Sequence, residues 1–129
     1  MILELGVSFV IVWEFHVRAD RLEAFLAAYG PGGAWDGFFR ESRGFLGTEL
    51  LRDERNPQRV LTIDRWVSAS AYEECRWARG DAYDALDLAC ASLSDRESRL
   101  GTFTLIDPAP AHVNTPEGTS KTSERSGRG

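Results

Sequence analysis

The sequence predicts an α+β fold, a single four-stranded antiparallel sheet with two helices packed on one of its faces. Three observations carry this. FVIVWEFHV, near the start, has an unbroken apolar face at period two. Two later stretches switch to helical spacing, and a polar hexapeptide, DERNPQ, joins two further β-rich segments. The elements then read in order as strand, helix, strand, strand, helix, strand.

The first strand spans Phe9 to Val17. Phe9, Ile11, Trp13, Phe15 and Val17 share one face, while Val10, Val12, Glu14 and His16 share the other, which is apolar at one end and polar at the other. From Asp20, Leu22, Phe25, Leu26 and Tyr29 follow helical spacing. Gly30-Pro31-Gly32-Gly33 interrupts that helix, and Trp35, Phe38 and Phe39 resume it for another turn or two. Gly44 releases the chain into a strand at Phe45 to Arg52, and Asp53 to Gln58 has the turn chemistry to return it along Arg59 to Val67. Ser68 and Ser70 offer N-cap oxygens, with Glu73 three residues beyond Ser70 as a capping box requires. The second helix then carries Tyr72 and Cys75, bends near Gly80, and continues through Tyr83, Leu86, Cys90 and Leu93. Arg99 to Asp107 is the last predicted strand.

That order is the ferredoxin-like βαββαβ arrangement. Such a sheet leaves one face bare, and its Val10/Val12 end calls for a cover, most economically a second copy related by a two-fold axis. A single domain within residues 1–107 is expected, followed by a disordered tail at 108–129, where Pro, Ser, Thr and Gly replace every aromatic, Leu and Ile.

Composition excludes several classes of function. The 129 residues carry 15 basic against 20 acidic groups, a net charge of -5, so there is no chain-wide basic field for nucleic acid or anionic lipid. Neither a signal peptide nor a membrane-length apolar run is present in the sequence, and Cys75 and Cys90 form no CxxC or His/Cys cluster. The expectation is a cytoplasmic protein with reduced thiols. No GxGxxG, P-loop, metal-binding His pair or GxSxG elbow occurs.

VIVWEFHV, AAYGPGGAWDGFFRESRGFLGTELLRD, RVLTIDRWVSASAYEE and the closing RLGTF, taken together, resemble the antibiotic biosynthesis monooxygenase family of dimeric α+β barrels over Phe9 to Phe103. The resemblance implies a pocket between sheet and helices in each subunit, with the other sheet faces paired in a homodimer. Characterised members include cofactor-free oxygenases of anthrone- and quinol-like aromatics, haem-degrading enzymes and domains without assigned activity. Residues 68 to 93 contain no His as an axial ligand and the first strand has no Asn, which disfavours the haem branch.

Trp66 matches the family's pocket tryptophan and shares its strand face with Asp64, Thr62 and Val60. Tyr72, one turn into the second helix, is placed to present a hydroxyl to the same pocket. Trp66 and Tyr72 are therefore expected to position an aromatic substrate, with Asp64 as a desolvated proton acceptor. Trp13 and Phe15 are expected to line the apolar wall opposite, with Thr62 also in the binding surface. Each of these aromatics also serves as ordinary core, and Glu14 and His16 point toward the partner copy. Two readings stay open: a cofactor-independent monooxygenase acting with O2 on a small electron-rich aromatic, or a non-catalytic dimeric small-molecule-binding or stress-associated domain of the same fold.

Overall fold

The computed structural model describes residues 8–106. The expectations for the chain start and for the tail lie outside the described residues. The elements are β1 (Phe9–Val17), α1 (Leu22–Tyr29), α2 (Ala34–Arg40), β2 (Phe45–Arg52), β3 (Arg59–Trp66), α3 (Ala69–Ala78), α4 (Gly80–Cys90) and β4 (Ser94–Thr104). Every sheet pairing is antiparallel, in the order β2-β3-β1-β4, which is the ferredoxin-like topology.

The two central strands set the core. In the β1–β3 register Phe9 faces Trp66, Ile11 faces Asp64, Trp13 faces Thr62 and Phe15 faces Val60. This row meets the helices. Ile11, Phe15, Val17, Val60 and Trp66 are buried against Phe25, Trp35, Phe39, Tyr72 and Cys75. No helix among the described residues packs on the opposite face, where Val12, Leu61 and Ile63 stand with Glu14 and His16. Glu14 there pairs with Arg59, and His16 Nδ1 lies 3.4 Å from Asp95, so the two are not a couple.

Local breaks explain how the helices sit. The GPGG segment separates α1 from α2, and Asp36 holds the junction: its Oδ2 accepts from the Gly32 N–H at 2.6 Å, and Arg40 Nε lies 3.1 Å from its Oδ1. The expected bend near Gly80 falls one residue earlier, at Arg79. The Arg79 guanidinium stacks 3.9 Å above the Phe38 ring and donates to the Phe38 carbonyl and Glu41, fastening the α3–α4 junction to the end of α2. Gly44, at φ +89°, precedes β2, and a Cβ there would come within 2.7 Å of the Ala71 methyl, so only glycine fits.

Two expectations are corrected. Ser68, not Ser70, caps α3: it has extended backbone, its Oγ accepts from the Ala71 N–H at 3.1 Å, and Ser70 lies inside the helix. β4 runs Ser94–Thr104 rather than from Arg99, because β1 offers its whole length for pairing and draws the polar SDRES segment into the ladder. As an edge strand it stays wet, so its side chains carry no apolar alternation.

Two bulges alter which side chains share a face. In β2 the register slips between Phe45 and Gly47, whose φ is +141°, so Phe45 and Thr48 both look toward the helices although three residues apart. In β4 a slip opposite Val12 and Trp13 sets Arg99 across from Trp13 and Glu97 across from Phe15, on the helix side.

Candidate active site

Between sheet and helices lies a cavity of about 150 Å³. Its sheet wall is Trp13 and Phe15 from β1, Thr62 and Asp64 from β3, and Glu97 from β4. Tyr29 and Trp35 from the first helical layer, with Phe39 and Tyr83, close it, and Arg76, Asp84 and Asp87 complete the lining. The walls brace one another: Phe15 packs on Tyr29 at 4.8 Å between centroids, and Trp35 meets Tyr83 edge-on at 4.9 Å. The result is an aromatic chamber with one carboxylate set deep in its β3 wall.

That carboxylate is Asp64. Thr48 Oγ1 donates to its Oδ1 at 2.8 Å, and no ion pair among the described residues involves it. Burial lifts its pKa from 3.8 to about 6; the Thr48 bond works against the rise and the charge of Asp36 adds to it. Burial raises the phenols of Tyr29 and Tyr83 well above their ordinary range, so both stay protonated near neutrality. Asp64 is thus a lining carboxylate whose charged form is disfavoured by burial. Arg65, its neighbour, points to the other face and pairs with Glu49 at 3.1 Å.

The predicted residues divide into two groups. Trp13, Phe15, Thr62 and Asp64 meet on the cavity wall, and Trp13 and Phe15 stand beside the β3 residues in the same sheet rather than opposite them, because β1 and β3 are paired neighbours. Trp66 and Tyr72 stand outside it. Trp66 is fully buried and packs edge-on against Phe39, Phe45 and Tyr72, so the bulk of Phe39 separates it from the chamber. Tyr72 is buried beside Phe9 and Trp66, and its hydroxyl accepts from Arg99 Nη2 at 3.3 Å. The Arg99 guanidinium also lies 5.4 Å from the Trp13 ring centre, linking Tyr72 to a wall residue.

Sequence reasoning missed Tyr29, Trp35, Phe39 and Tyr83, which read only as helical stripe, and Glu97, which preceded the predicted last strand. Glu97 carried no signal at all, since its placement depends on a bulge that side-chain pattern does not encode. Among the described residues no group of three or more His, Cys, Asp or Glu side chains is arranged to hold a metal, and Cys75 and Cys90 are buried and unpaired.

The sequence model of antibiotic biosynthesis monooxygenases matches residues 8–86. Among solved structures, SnoaB, a cofactor-independent oxygenase from Streptomyces nogalater, aligns at 22% identity over 80% of this chain and 97% of its own, with a TM-score of 0.61. A putative antibiotic biosynthesis monooxygenase from Nitrosomonas europaea aligns at 14% identity over 78% and 92%, with a TM-score of 0.63. Protein SO0527 from Shewanella oneidensis gives 20%, 78%, 92% and 0.60 for the same quantities. At these identities the likeness is one of fold. No curated protein matches the sequence.

Proposed function

The chain belongs to the antibiotic biosynthesis monooxygenase family, and from that premise we propose that it oxidises a small, quinol-like aromatic with O2, using Asp64 as the proton acceptor. The observation that carries this reading is Asp64 itself, a carboxylate that has no ion-pair partner among the described residues and stands in the wall of an aromatic chamber. A cavity near 150 Å³ suits one aromatic ring, the size of guest that engineered cavities of about 150 Å³ accept. A three-ring anthrone would leave part of itself outside the mouth.

In this reading Asp64 removes a ring hydroxyl proton, and the resulting anion passes one electron to O2. Recombination of the radical pair forms a carbon–oxygen bond, and the peroxide takes the proton back from Asp64. The O–O bond then breaks, leaving one oxygen in a quinone while the other departs as water with the ring hydrogen. The substrate supplies all four electrons, as suits relatives such as the cofactor-independent SnoaB. The chamber contributes orientation and exclusion of water. Trp66 and Tyr72 are positioning residues, Trp66 through Phe39 and Tyr72 through Arg99 and Trp13.

The test is oxygen uptake with hydroquinones and catechols, with mass spectrometry of products formed under ¹⁸O2. Uptake above autoxidation, with one labelled oxygen per product, is expected. Saturable binding with no uptake across the panel would instead assign the chamber to a binding domain.

The bare sheet face pairs with a second copy in this reading. Val12, Leu61 and Ile63 supply the apolar centre, and Arg65, Glu49 and the Arg59–Glu14 pair form a charged rim. Light scattering at micromolar concentration is expected to give a dimer that Ile63→Glu converts to monomer. A monomeric native protein would overturn the pairing. The two buried thiols suit the cytoplasm, where they stay reduced.

A further inference from the structure

Asp64 is held by a single side chain. Thr48 Oγ1 is its one side-chain hydrogen-bond donor among the described residues, and it reaches Oδ1 alone. Oδ2 accepts no side-chain hydrogen bond there, yet it is not sealed in: the buried side-chain atoms left without a partner among the described residues are Trp35 Nε1, Asp36 Oδ1 and Trp66 Nε1. Asp64 borders the chamber and Thr48 does not. The hydroxyl therefore grips the carboxylate from the neighbouring strand and leaves Oδ2 as the open oxygen.

The chain departs from a regular ladder to make this contact. Thr48 and Asp64 are cross-strand partners in β2 and β3. Phe45, three residues before Thr48, also faces the helices, where it packs edge-on against Trp66. A plain strand sends residues three apart to opposite faces, and the slip at Gly47, with φ +141°, brings these two to the same one. With Phe45 packed as it is, an unbulged β2 would turn the Thr48 hydroxyl to the bare face, away from Asp64. Branching at Cβ then restricts Thr48 to few rotamers, so the hydroxyl is preset at little entropic cost.

We propose that Thr48 is a positioning residue for the reaction: its hydroxyl holds Oδ1 of Asp64, and Oδ2 is the atom that takes the substrate's proton and later returns it. This rests on the reading of Asp64 as proton acceptor, and it adds the reacting atom and the residue that aims it. A hydroxyl donating to Oδ1 lowers that oxygen's affinity for a proton and directs the proton to Oδ2. The same hydroxyl stays bonded whether Oδ2 is bare or protonated, so the carboxyl need not turn during the cycle. The bond also favours the ionised acid, against burial and against the charge of Asp36 from α2. The other charged groups that line the chamber are Arg76 on α3, Asp84 and Asp87 on α4 and Glu97 on β4, and none of them is bonded to Asp64.

The test follows the Asp64 carboxyl carbon by NMR in ¹³C-labelled protein without substrate, with Asp64→Asn to assign the signal, beside the pH profile of kcat/KM for hydroquinone. The native carbon is expected to titrate at about 6. Thr48→Val keeps the branched shape and deletes the donor. Its carbon midpoint and the acid limb of its kcat/KM are both expected to rise by about one pH unit, a loss of roughly tenfold at pH 5. Thr48→Ser keeps the hydroxyl and is expected to return both to the native position. A Thr48→Val midpoint that stays at the native value would overturn the hold of Thr48 on Asp64 and leave the acceptor reading standing. Carbon midpoints that move as expected, beside a kcat/KM that does not follow them, would overturn Asp64 as acceptor and with it the part of Thr48 in turnover.

Discussion

Asp64→Asn is expected to abolish turnover and, above pH 6, to make the protein more stable. As proton acceptor, Asp64 works only when ionised, so kcat/KM of the native enzyme should rise through pH 6 and level off above pH 7. The asparagine cannot take the proton, and a loss of roughly 100-fold or more is expected. Stability moves the other way. The folded-state value, about 6, lies above the ordinary 3.8, so the fold favours the protonated acid. That contribution is complete below pH 3.8 and is lost as the pH rises through 6. Holding the group ionised at pH 8 costs at most about 3 kcal/mol, at about 1.4 kcal/mol for each pH unit between the two values. Asparagine avoids this cost and can still accept the Thr48 hydroxyl. Thermal melts should therefore show little gain at pH 4 and the largest gain at pH 8. A variant that loses activity and stability together would mark Asp64 as structural.

Trp66→Ala is expected to cost about 3–5 kcal/mol, because it empties the most enclosed volume between sheet and helices. That is a large share of the roughly 5–15 kcal/mol that keeps a domain of this size folded. Trp66→Phe should cost much less. It keeps the edge-on packing with Phe39 and Phe45, and it removes an indole N–H that is buried without a partner. Urea unfolding of the two variants checks the difference. Turnover of the folded phenylalanine form should stay within a few fold of native, since Phe39 stands between the indole and the chamber. A hundredfold loss there would give the indole a direct part in the reaction and overturn its assignment as a positioning residue.

These contrasts show where sequence was sufficient and where it was not. β1 was legible to the residue, because nine positions alternate between a helix-facing row and a bare one. The hairpin and the breaks at Gly30–Gly33 and near Gly80 were legible from turn chemistry. The first half of β4 was not, because an edge strand is held by its backbone and Ser94–Ser98 show only polar side chains. Parity alone put Trp13 and Phe15 on one face of β1 and Thr62 and Asp64 on one face of β3. That the two pairs share a wall, instead of facing each other across the pocket, follows from the β1–β3 register. Whether Trp66, on that same parity, reached the cavity depended on the size of Phe39 and the path of α2, which no periodicity reports. Tyr29, Trp35 and Tyr83 illustrate the converse: a helical stripe looks the same whether it fills a core or faces a void.

The bulge in β2 has a consequence for how the chain can change length. Leu46 and Gly47 together stand against Arg65 alone, so the strand carries one spare letter. Deleting Leu46 would leave Phe45 and Thr48 on their present side and restore a plain ladder. Deleting Glu49 instead would invert the rest of the strand, turning Leu50 and Leu51 over while Thr48 stayed in place. A one-residue deletion is therefore expected to be absorbed at Leu46 and to misface the strand three residues later, a boundary set by the glycine at φ +141°.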